Sequence, residues 1–274
     1  MTDPTAPTPP ARQAGRWRDL ARRTASAAVL VPLALACLWH GGIAWIALIA
    51  AATIALAWEW ARMLRLPLEA VATIVLGVGV VVALLLRGAP PQTLVSALFG
   101  VVLLHYLWFK RQAPALGVLA IGPPAIALIW LRLGSGGIYN ILYLLFIVWS
   151  SDIGAYLAGR LLGGPRLAPS ISPGKTWSGA IGGLFAAGLT GYAAAALAPP
   201  TNLYAFALAC FLGLISQLGD LAESALKRHC GVKDSGALIP GHGGVFDRLD
   251  GLLAAATAMG LMAAATGNGV VLWR

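Results

Sequence analysis

Six of the ten carboxylates in this 274-residue chain lie between residues 152 and 250. Carboxylate oxygens that leave room for water and phosphate oxygens are the ligands that suit Mg²⁺. Asp247 and Asp250 are three residues apart, so they share a face if a helix begins there, and Asp220 could join them. The sequence therefore predicts a Mg²⁺ site made of Asp220, Asp247 and Asp250. It does not decide whether a second, monovalent cation such as K⁺ lies beside Mg²⁺.

A polar stripe interrupts the apolar run that contains Asp220. Gln217, Asp220, Ser224 and Lys227 follow the i, i+3, i+4, i+7 spacing, which places them on one face of a helix. Ionisable residues in a membrane helix cost several kcal/mol unless they face a partner or water, so the stripe indicates a functional site. Glu223 is interpreted differently, as the partner of Lys227 in a structural ion pair.

A glycine-rich stretch over residues 233–250 follows the stripe. Gly243 and Gly244 would let backbone N–H groups come close to a phosphate chain. His242 lies among these glycines, where it could contact a phosphate or serve only as a turn residue. No Cys and His residues in the chain have the spacing of a zinc site.

The segment Gly174-Lys175-Thr176 copies the end of a P-loop. Pro169 occupies the position of the first P-loop glycine and no strand is expected before it, which excludes a P-loop NTPase. We expect Lys175 to face a phosphate at the start of a helix, whose dipole also favours anions. The alternative is an ordinary lysine of a cytoplasmic loop.

Two further carboxylates lie in apolar runs. Asp152 is expected either to line a polar cavity or to pair with a basic residue. Glu59 lies between Trp58 and Trp60, with Arg62 three residues later. We interpret it as part of an interfacial aromatic belt with a local ion pair.

The composition is that of a membrane protein: 59% of residues are hydrophobic, 11% are charged and the mean hydropathy is +0.80. A soluble domain of this size could not bury so much apolar surface. This excludes a soluble enzyme, a disordered chain and a fibrous repeat. The net charge of +9 fits cytoplasmic loops and phosphate ligands, so we expect no nucleic-acid partner. The three cysteines are expected to be reduced and structural.

We predict an all-α polytopic membrane protein of about nine transmembrane helices. Residues 1–23 are expected to form a flexible Pro/Arg-rich tail, and residues 24–274 a single transmembrane domain. Its N-terminal part, 24–137, would be a scaffold or lipid-facing wall, and 138–274 the catalytic half. The predicted spans are 25–39, 43–61, 69–86, 93–109, 115–132, 138–160, 178–197, 203–226 and 249–266.

The basic residues predict the orientation of these spans. With the N-terminus inside, 16 of the 19 Lys and Arg residues fall in cytoplasmic loops or in the N-terminal tail. The loops 161–177 and 227–248 are separated by two spans, so they lie on the same face. That face would be cytoplasmic, where nucleotides and Mg²⁺ are available.

Residues 224–250 resemble the signature of the phosphatidate cytidylyltransferase family. Two upstream motifs of that family resemble Asp152-x-x-Ala155-Tyr156 and the segment from Ser172 to Gly179. No charged signature position departs from the family pattern. The matching signature residues are Ser224, Lys227, Arg228, Lys233, Asp234, Gly236, Ile239, Pro240, His242, Gly243, Gly244, Val245, Asp247, Arg248, Leu249 and Asp250.

The resemblance implies the reaction CTP + phosphatidic acid → CDP-diacylglycerol + diphosphate, with Mg²⁺ required. It also implies a bacterial inner membrane location, a role in phospholipid synthesis and a homodimer. The catalytic residues would be Asp220, Lys227, Lys233, Asp247 and Arg248. The substrate-binding residues would be Asp152, Ser172, Lys175, Thr176, Ser224, Arg228, His242, Gly243 and Gly244.

Two rival functions stay open at this point. Another CTP-dependent membrane enzyme, such as a lipid kinase or a cytidylyltransferase for ether or polyprenyl lipids, would need similar polar residues. A transporter could use the polar stripe as a pathway. Two motif loops on one face, without a corresponding polar set on the other and without an inverted repeat, count against transport.

Overall fold

The computed structural model describes residues 10–134, 136–196 and 203–266, with side chains from residue 24 onward. In these ranges the chain folds into nine helices and one two-stranded antiparallel sheet. The helices are α1 Pro10–His40, α2 Gly42–Met63, α3 Leu68–Leu86, α4 Pro91–Phe109, α5 Gln112–Leu133, α6 Gly137–Leu162, α7 Trp177–Ala196, α8 Leu203–His229 and α9 Phe246–Ala265. The strands are β1 Arg166–Ala168 and β2 Ser172–Thr176.

The helices confirm the prediction of an all-α polytopic membrane protein. Eight of the helices in the described ranges are long and apolar enough to cross a membrane, and the apolar part of α1, Thr24–His40, is shorter. Their bounds agree with the predicted spans to within a few residues. The exception is α1, which begins at Pro10. The expectation of a flexible tail is therefore wrong for residues 10–23, while residues 1–9 lie outside the described residues.

The sharp break between α1 and α2 occurs at two glycines. Gly41 and Gly42 have φ angles of 65° and 49°, a region that favours glycine. Arg132 at the end of α5 holds this turn from the side, because its guanidinium donates hydrogen bonds to the carbonyls of Leu38 and Trp39 at 2.8 and 3.1 Å. The last carbonyls of α1 thus find a partner outside their own helix.

The helices form two groups that meet along α5 and α9. Helices α2, α3 and α4 surround α5, whereas α6, α7 and α8 follow one another and α8 packs on α9. Small residues allow α6 and α7 to approach closely, as expected between membrane helices. A Cβ atom at Gly154 of α6 would lie only 2.5 Å from the Cβ atom of Ala186 on α7. This second group carries the predicted catalytic half.

The loop 161–177 contains the hairpin β1–β2, which the sequence did not predict. Arg166 pairs with Thr176, and Ala168 with Ser172. The expectation that no strand precedes Pro169 is wrong, and Lys175 lies in strand β2, just before α7, instead of at a helix start. The P-loop remains excluded, because its first glycine is missing and Gly174-Lys175-Thr176 is in a strand.

Candidate active site

A cavity of about 390 Å³ lies between α6, α7, α8 and the hairpin. It gathers residues from three separate sequence motifs into one place. Asp152 therefore lines a polar cavity, which was one of its two predicted roles. The polar side chains that line the cavity are those of Asp152, Tyr156, Arg160, Lys175, Thr176, Gln217 and Asp220.

The hairpin is attached to α8 by two contacts. The Nζ atom of Lys175 lies 2.6 Å from Oδ2 of Asp220 in an ion pair. The Nε atom of Arg228 donates a hydrogen bond of 3.3 Å to the carbonyl of Ile171. These contacts confirm that the loop 161–177 and the end of α8 lie on the same face of the protein. Ser172 is half-buried on the same hairpin.

Thr176 combines a place in the cavity lining with a structural role. Its Oγ1 atom accepts a hydrogen bond of 3.1 Å from the backbone N–H of Gly179, in the first turn of α7. This is the bond that an N-cap threonine makes to an otherwise unpaired helix donor. Gln217 also fixes the cavity wall, since its Nε2 atom lies 3.1 Å from Ser151 Oγ and 3.2 Å from the carbonyl of Ala180.

Three carboxylates meet beside the cavity, where α8 packs against α9. Among the described residues, Asp220, Glu223 and Asp250 each offer an oxygen within 4.8 Å of the other two. The two helices can approach because residue 219 is glycine: a Cβ atom there would lie 2.5 Å from Ala254 Cβ. A set of carboxylate oxygens suits a hard divalent cation such as Mg²⁺. Two of the three predicted metal ligands, Asp220 and Asp250, belong to this group.

Asp247 lies outside the three-carboxylate group and has other partners. Its Oδ1 atom lies 2.7 Å from Lys227 Nζ. Its Oδ2 atom accepts hydrogen bonds of 3.0 Å from the N–H groups of Ser235 and Gly244, and it lies 3.0 Å from the Ser235 hydroxyl. Asp247 thus holds the loop before α9 onto that helix. Its predicted role as a metal ligand stays a prediction.

Lys227 lies between two carboxylates in the last turn of α8. Its Nζ atom is 2.7 Å from Glu223 Oε2 and 2.7 Å from Asp247 Oδ1. The contact with Glu223 confirms the ion pair predicted from the sequence. The geometry adds that the same lysine reaches α9, so one cation joins two helices.

The remaining predicted residues lie on α8, on the loop that follows it and in the first turn of α9. Arg248 is exposed and donates hydrogen bonds of 2.9 and 2.8 Å from Nε and Nη2 to the carbonyl of His242. The His242 Nδ1 atom lies 2.8 Å from the Ser26 hydroxyl of α1. Lys233 is exposed, and Ser224 Oγ lies 3.5 Å from Asp220 Oδ1.

The interpretation of Glu59 as an interfacial residue paired with Arg62 is wrong. Its side chain is 1% exposed, and Arg62 is exposed. The carboxylate of Glu59 instead accepts hydrogen bonds from the N–H groups of Val245 and Phe246, at 2.9 and 2.8 Å. It also accepts one of 3.1 Å from the hydroxyl of Ser235. The N-terminal half therefore contributes a side chain to the glycine-rich segment before α9 and to the start of that helix.

The sequence contains a signal that indicates a functional role for Glu59. A carboxylate inside a membrane helix is by default a sign of function, as it is for Asp152. The flanking tryptophans and the nearby Arg62 suggested the membrane interface instead. Ser235 was missed altogether, because a serine in a glycine-rich loop resembles an ordinary turn residue.

Known proteins are similar in sequence to this chain over most of its length. Residues 21–265 match the model of the cytidylyltransferase family. The chain belongs to this family. A phosphatidate cytidylyltransferase of Brucella suis biovar 1 is 41% identical over 254 residues, which cover 90% of this chain and 94% of that protein. One from Brucella abortus strain 9-941 shows the same identity and coverage.

A further relative matches over a shorter stretch. The phosphatidate cytidylyltransferase of Haemophilus influenzae is 46% identical over 125 residues, 43% of each chain. The Brucella proteins thus resemble this chain along most of its length. Membership of the cytidylyltransferase family agrees with the resemblance of residues 224–250 to the phosphatidate cytidylyltransferase signature.

Proposed function

We propose that this chain transfers the cytidylyl group of CTP to phosphatidic acid, forming CDP-diacylglycerol and releasing diphosphate. The observation that carries the proposal is the three-carboxylate group of Asp220, Glu223 and Asp250 beside the cavity that contains Lys175. A divalent cation and a phosphate-facing lysine are what a nucleoside triphosphate needs. Membership of the cytidylyltransferase family and the names of the Brucella relatives support this choice of reaction.

The chemistry needs no strong protein base. A phosphate monoester is largely ionised at neutral pH, so an oxygen of the lipid phosphate can attack the α-phosphorus of CTP directly. A new P–O bond forms there, the bond to the β-phosphate breaks, and diphosphate leaves with the electron pair. The protein contributes positioning and neutralisation of charge, as in phosphoryl transfer generally.

Asp220 and Asp250 would hold Mg²⁺, with Glu223 as the third carboxylate in the observed arrangement. The ion would neutralise charge on the triphosphate and on the leaving diphosphate. Asp247 remains a predicted ligand. Both Glu223 and Asp247 would have to release Lys227, but Asp247 is also held by the N–H groups of Ser235 and Gly244 and lies outside the three-carboxylate group. We therefore favour Glu223 over Asp247 as the third ligand.

The cations of the site are held by carboxylates that substrates could replace. Lys175 pairs with Asp220, and Lys227 pairs with Glu223 and Asp247. Phosphate oxygens offer these lysines a stronger anionic partner. In this arrangement Asp220 would hold Mg²⁺ and Lys175 would bind the triphosphate, in place of their present pair. The exposed Arg228, Lys233 and Arg248 would complete the neutralisation.

The lipid would enter the cavity sideways from the bilayer. The cavity wall on α6 includes Tyr156, which is 62% exposed, and Leu161 and Leu162 nearby are 79% and 75% exposed. Such an apolar surface suits acyl chains while the lipid phosphate reaches Lys175 and Arg160. We place the chain in a bacterial inner membrane, with this end facing the cytoplasm. We also propose a homodimer, which cross-linking in native membranes would test.

Labelled CTP tests the reaction. Purified protein in detergent would be given phosphatidic acid, Mg²⁺ and CTP labelled on either the α- or the γ-phosphate. Label from the α-phosphate alone should enter the lipid phase, and EDTA should abolish it. Label from the γ-phosphate would indicate a lipid kinase instead. No lipid label from folded protein would contradict phosphatidic acid as the substrate.

A further inference from the structure

Glu59 is a buried carboxylate that the proposed reaction does not use, although it lies at the edge of the site. It projects from the last part of α2, and its side chain is 1% exposed. Among the ion pairs of the described side chains, none includes Glu59. Its carboxylate has hydrogen-bond donors instead, all from the segment Ser235–Phe246. A buried carboxylate is tolerated when such donors surround it.

Two of those donors belong to the N-terminus of α9. The helix begins at Phe246, and its N-cap residue Val245 has no side chain that could accept a hydrogen bond. Glu59 supplies the missing acceptors, because its two oxygens receive the N–H groups of Val245 and Phe246 at 2.9 and 2.8 Å. A negative charge at this end of a helix is also favoured by the helix dipole. A side chain of α2 thus caps α9.

The third donor connects Glu59 to the reaction centre. The Ser235 hydroxyl lies 3.1 Å from Glu59 Oε2 and 3.0 Å from Asp247 Oδ2. It stands between the two carboxylates and can donate its single proton to either of them. Asp247 holds Lys227 at 2.7 Å, and three residues later α9 carries Asp250 of the three-carboxylate group. Displacement of the α9 N-terminus would therefore displace Asp247 and Asp250 together.

The loop is shaped to admit this carboxylate. A Cβ atom at Gly236 would lie 2.5 Å from Glu59 Oε1, and one at Gly244 would lie 2.8 Å from Glu59 Oε2. Real Cβ atoms do not approach oxygen so closely. Gly236 therefore leaves the space that Glu59 occupies, and Gly244 leaves space for Ser235 as well as for Glu59.

We propose that Glu59 is a positioning residue for cytidylyl transfer. It fixes the start of α9 so that Asp250 and Asp247 are placed for the metal and for Lys227. This inference rests on the proposed function. It makes α2 a part of the site, where the sequence had suggested only a scaffold or a lipid-facing wall.

The test compares Glu59→Gln with a control, Glu69→Gln. The control makes the same change at an exposed residue in the first turn of α3. The amide that Glu59→Gln introduces would present N–H groups to a backbone donor, so at least one of the cap bonds is lost. We expect kcat to fall by about tenfold or more and the half-activating Mg²⁺ concentration to rise. The KM for phosphatidic acid should stay near the wild-type value, because Glu59 does not line the cavity. Glu69→Gln should match the wild type.

Two readouts do not depend on turnover. Hydrogen exchange of the amides of residues 243–248 should be faster in Glu59→Gln than in the wild type. The thermal stabilisation that CTP and Mg²⁺ give the purified protein should be smaller. A role in folding alone would reduce the yield of monodisperse protein but leave the Mg²⁺ dependence of the folded fraction unchanged.

Ser235→Ala provides a second variant that keeps the Glu59 charge and both backbone bonds. We expect its half-activating Mg²⁺ concentration to rise less than that of Glu59→Gln. If Glu59→Gln does not fold, Ser235→Ala serves as the test of the positioning role. Folded variants with wild-type Mg²⁺ dependence and wild-type exchange would overturn the inference. If the wild type itself makes no CDP-diacylglycerol, the proposed function fails, whatever the exchange data show.

Discussion

Lys175 and Asp220 form an ion pair of 2.6 Å that joins the β-hairpin to helix α8. The pair lies in the wall of the cavity, and Asp220 is also one of the three clustered carboxylates. The same carboxylate thus pairs with a lysine and belongs to the group that could hold a metal ion. Binding of Mg²⁺ and a triphosphate would let each partner move to a charge of opposite sign without leaving an unpaired ion.

Lys175→Ala is predicted to weaken the use of CTP. The KM for CTP should rise by about tenfold, because a charge-assisted contact to a phosphate oxygen is worth roughly 1.5–3 kcal/mol. The measurement is initial rate against CTP concentration at saturating Mg²⁺. Lys110→Ala, which removes an exposed lysine after α4, serves as the matched control. An unchanged KM for CTP in Lys175→Ala would contradict a contact with the triphosphate. It would favour the alternative of an ordinary lysine of a cytoplasmic loop.

The choice of the third metal ligand can be decided by Mg²⁺ titration. Asp220→Asn and Asp250→Asn should each lower turnover by about 100-fold or more without loss of folding. Glu223→Gln should raise the half-activating Mg²⁺ concentration more than Asp247→Asn does. The opposite order would establish Asp247 as the ligand, as the sequence predicted. Retention of more than about 10% activity by Asp220→Asn would mean that it is not an essential ligand.

Most of the fold could be predicted from the sequence, because apolar runs between charged residues define membrane helices directly. The sequence also predicted that the loop of Lys175 and the loop after α8 share one face, but for Asp152 it left open a cavity or an ion pair. The hairpin did not follow, because three- and five-residue strands carry little hydropathy signal. The partners of Glu59 could not be predicted either. They are backbone N–H groups 186 and 187 residues away, and a backbone donor has no sequence signature.

The same limit applies to the pairing of the charged residues. The spacing on α8 predicted that Glu223 and Lys227 would meet, because residues four apart on a helix are neighbours. It could not show that Lys227 also reaches Asp247, since that depends on how closely α8 and α9 pack. The packing is set by Gly219, whose role becomes visible only once Ala254 is placed opposite.

Lys227→Met is predicted to destabilise the protein as well as inactivate it. Glu223 and Asp247 are 2% and 9% exposed, and both would lose their cation. Removal of one partner from a buried ion pair typically costs about 3–5 kcal/mol. Thermal unfolding of the purified protein should show a lower Tm. Adding Glu223→Gln to Lys227→Met should recover part of that loss, and a purely additive loss would contradict the pairing.

Gly244→Ala is predicted to disturb the site by steric overlap alone. The added Cβ atom would overlap the Ser235 hydroxyl and would lie 2.8 Å from both Glu59 Oε2 and the backbone nitrogen of Gly236. Overpacking of this kind costs about 1–3 kcal/mol, and here the strain falls on the loop that holds Asp247. Activity should therefore drop more than Tm does, as measured on the same preparation. Gly100→Ala is the control, because a Cβ atom at that position meets nothing within 4 Å. Wild-type activity in Gly244→Ala would show that the loop can move away from Glu59 without cost to the reaction.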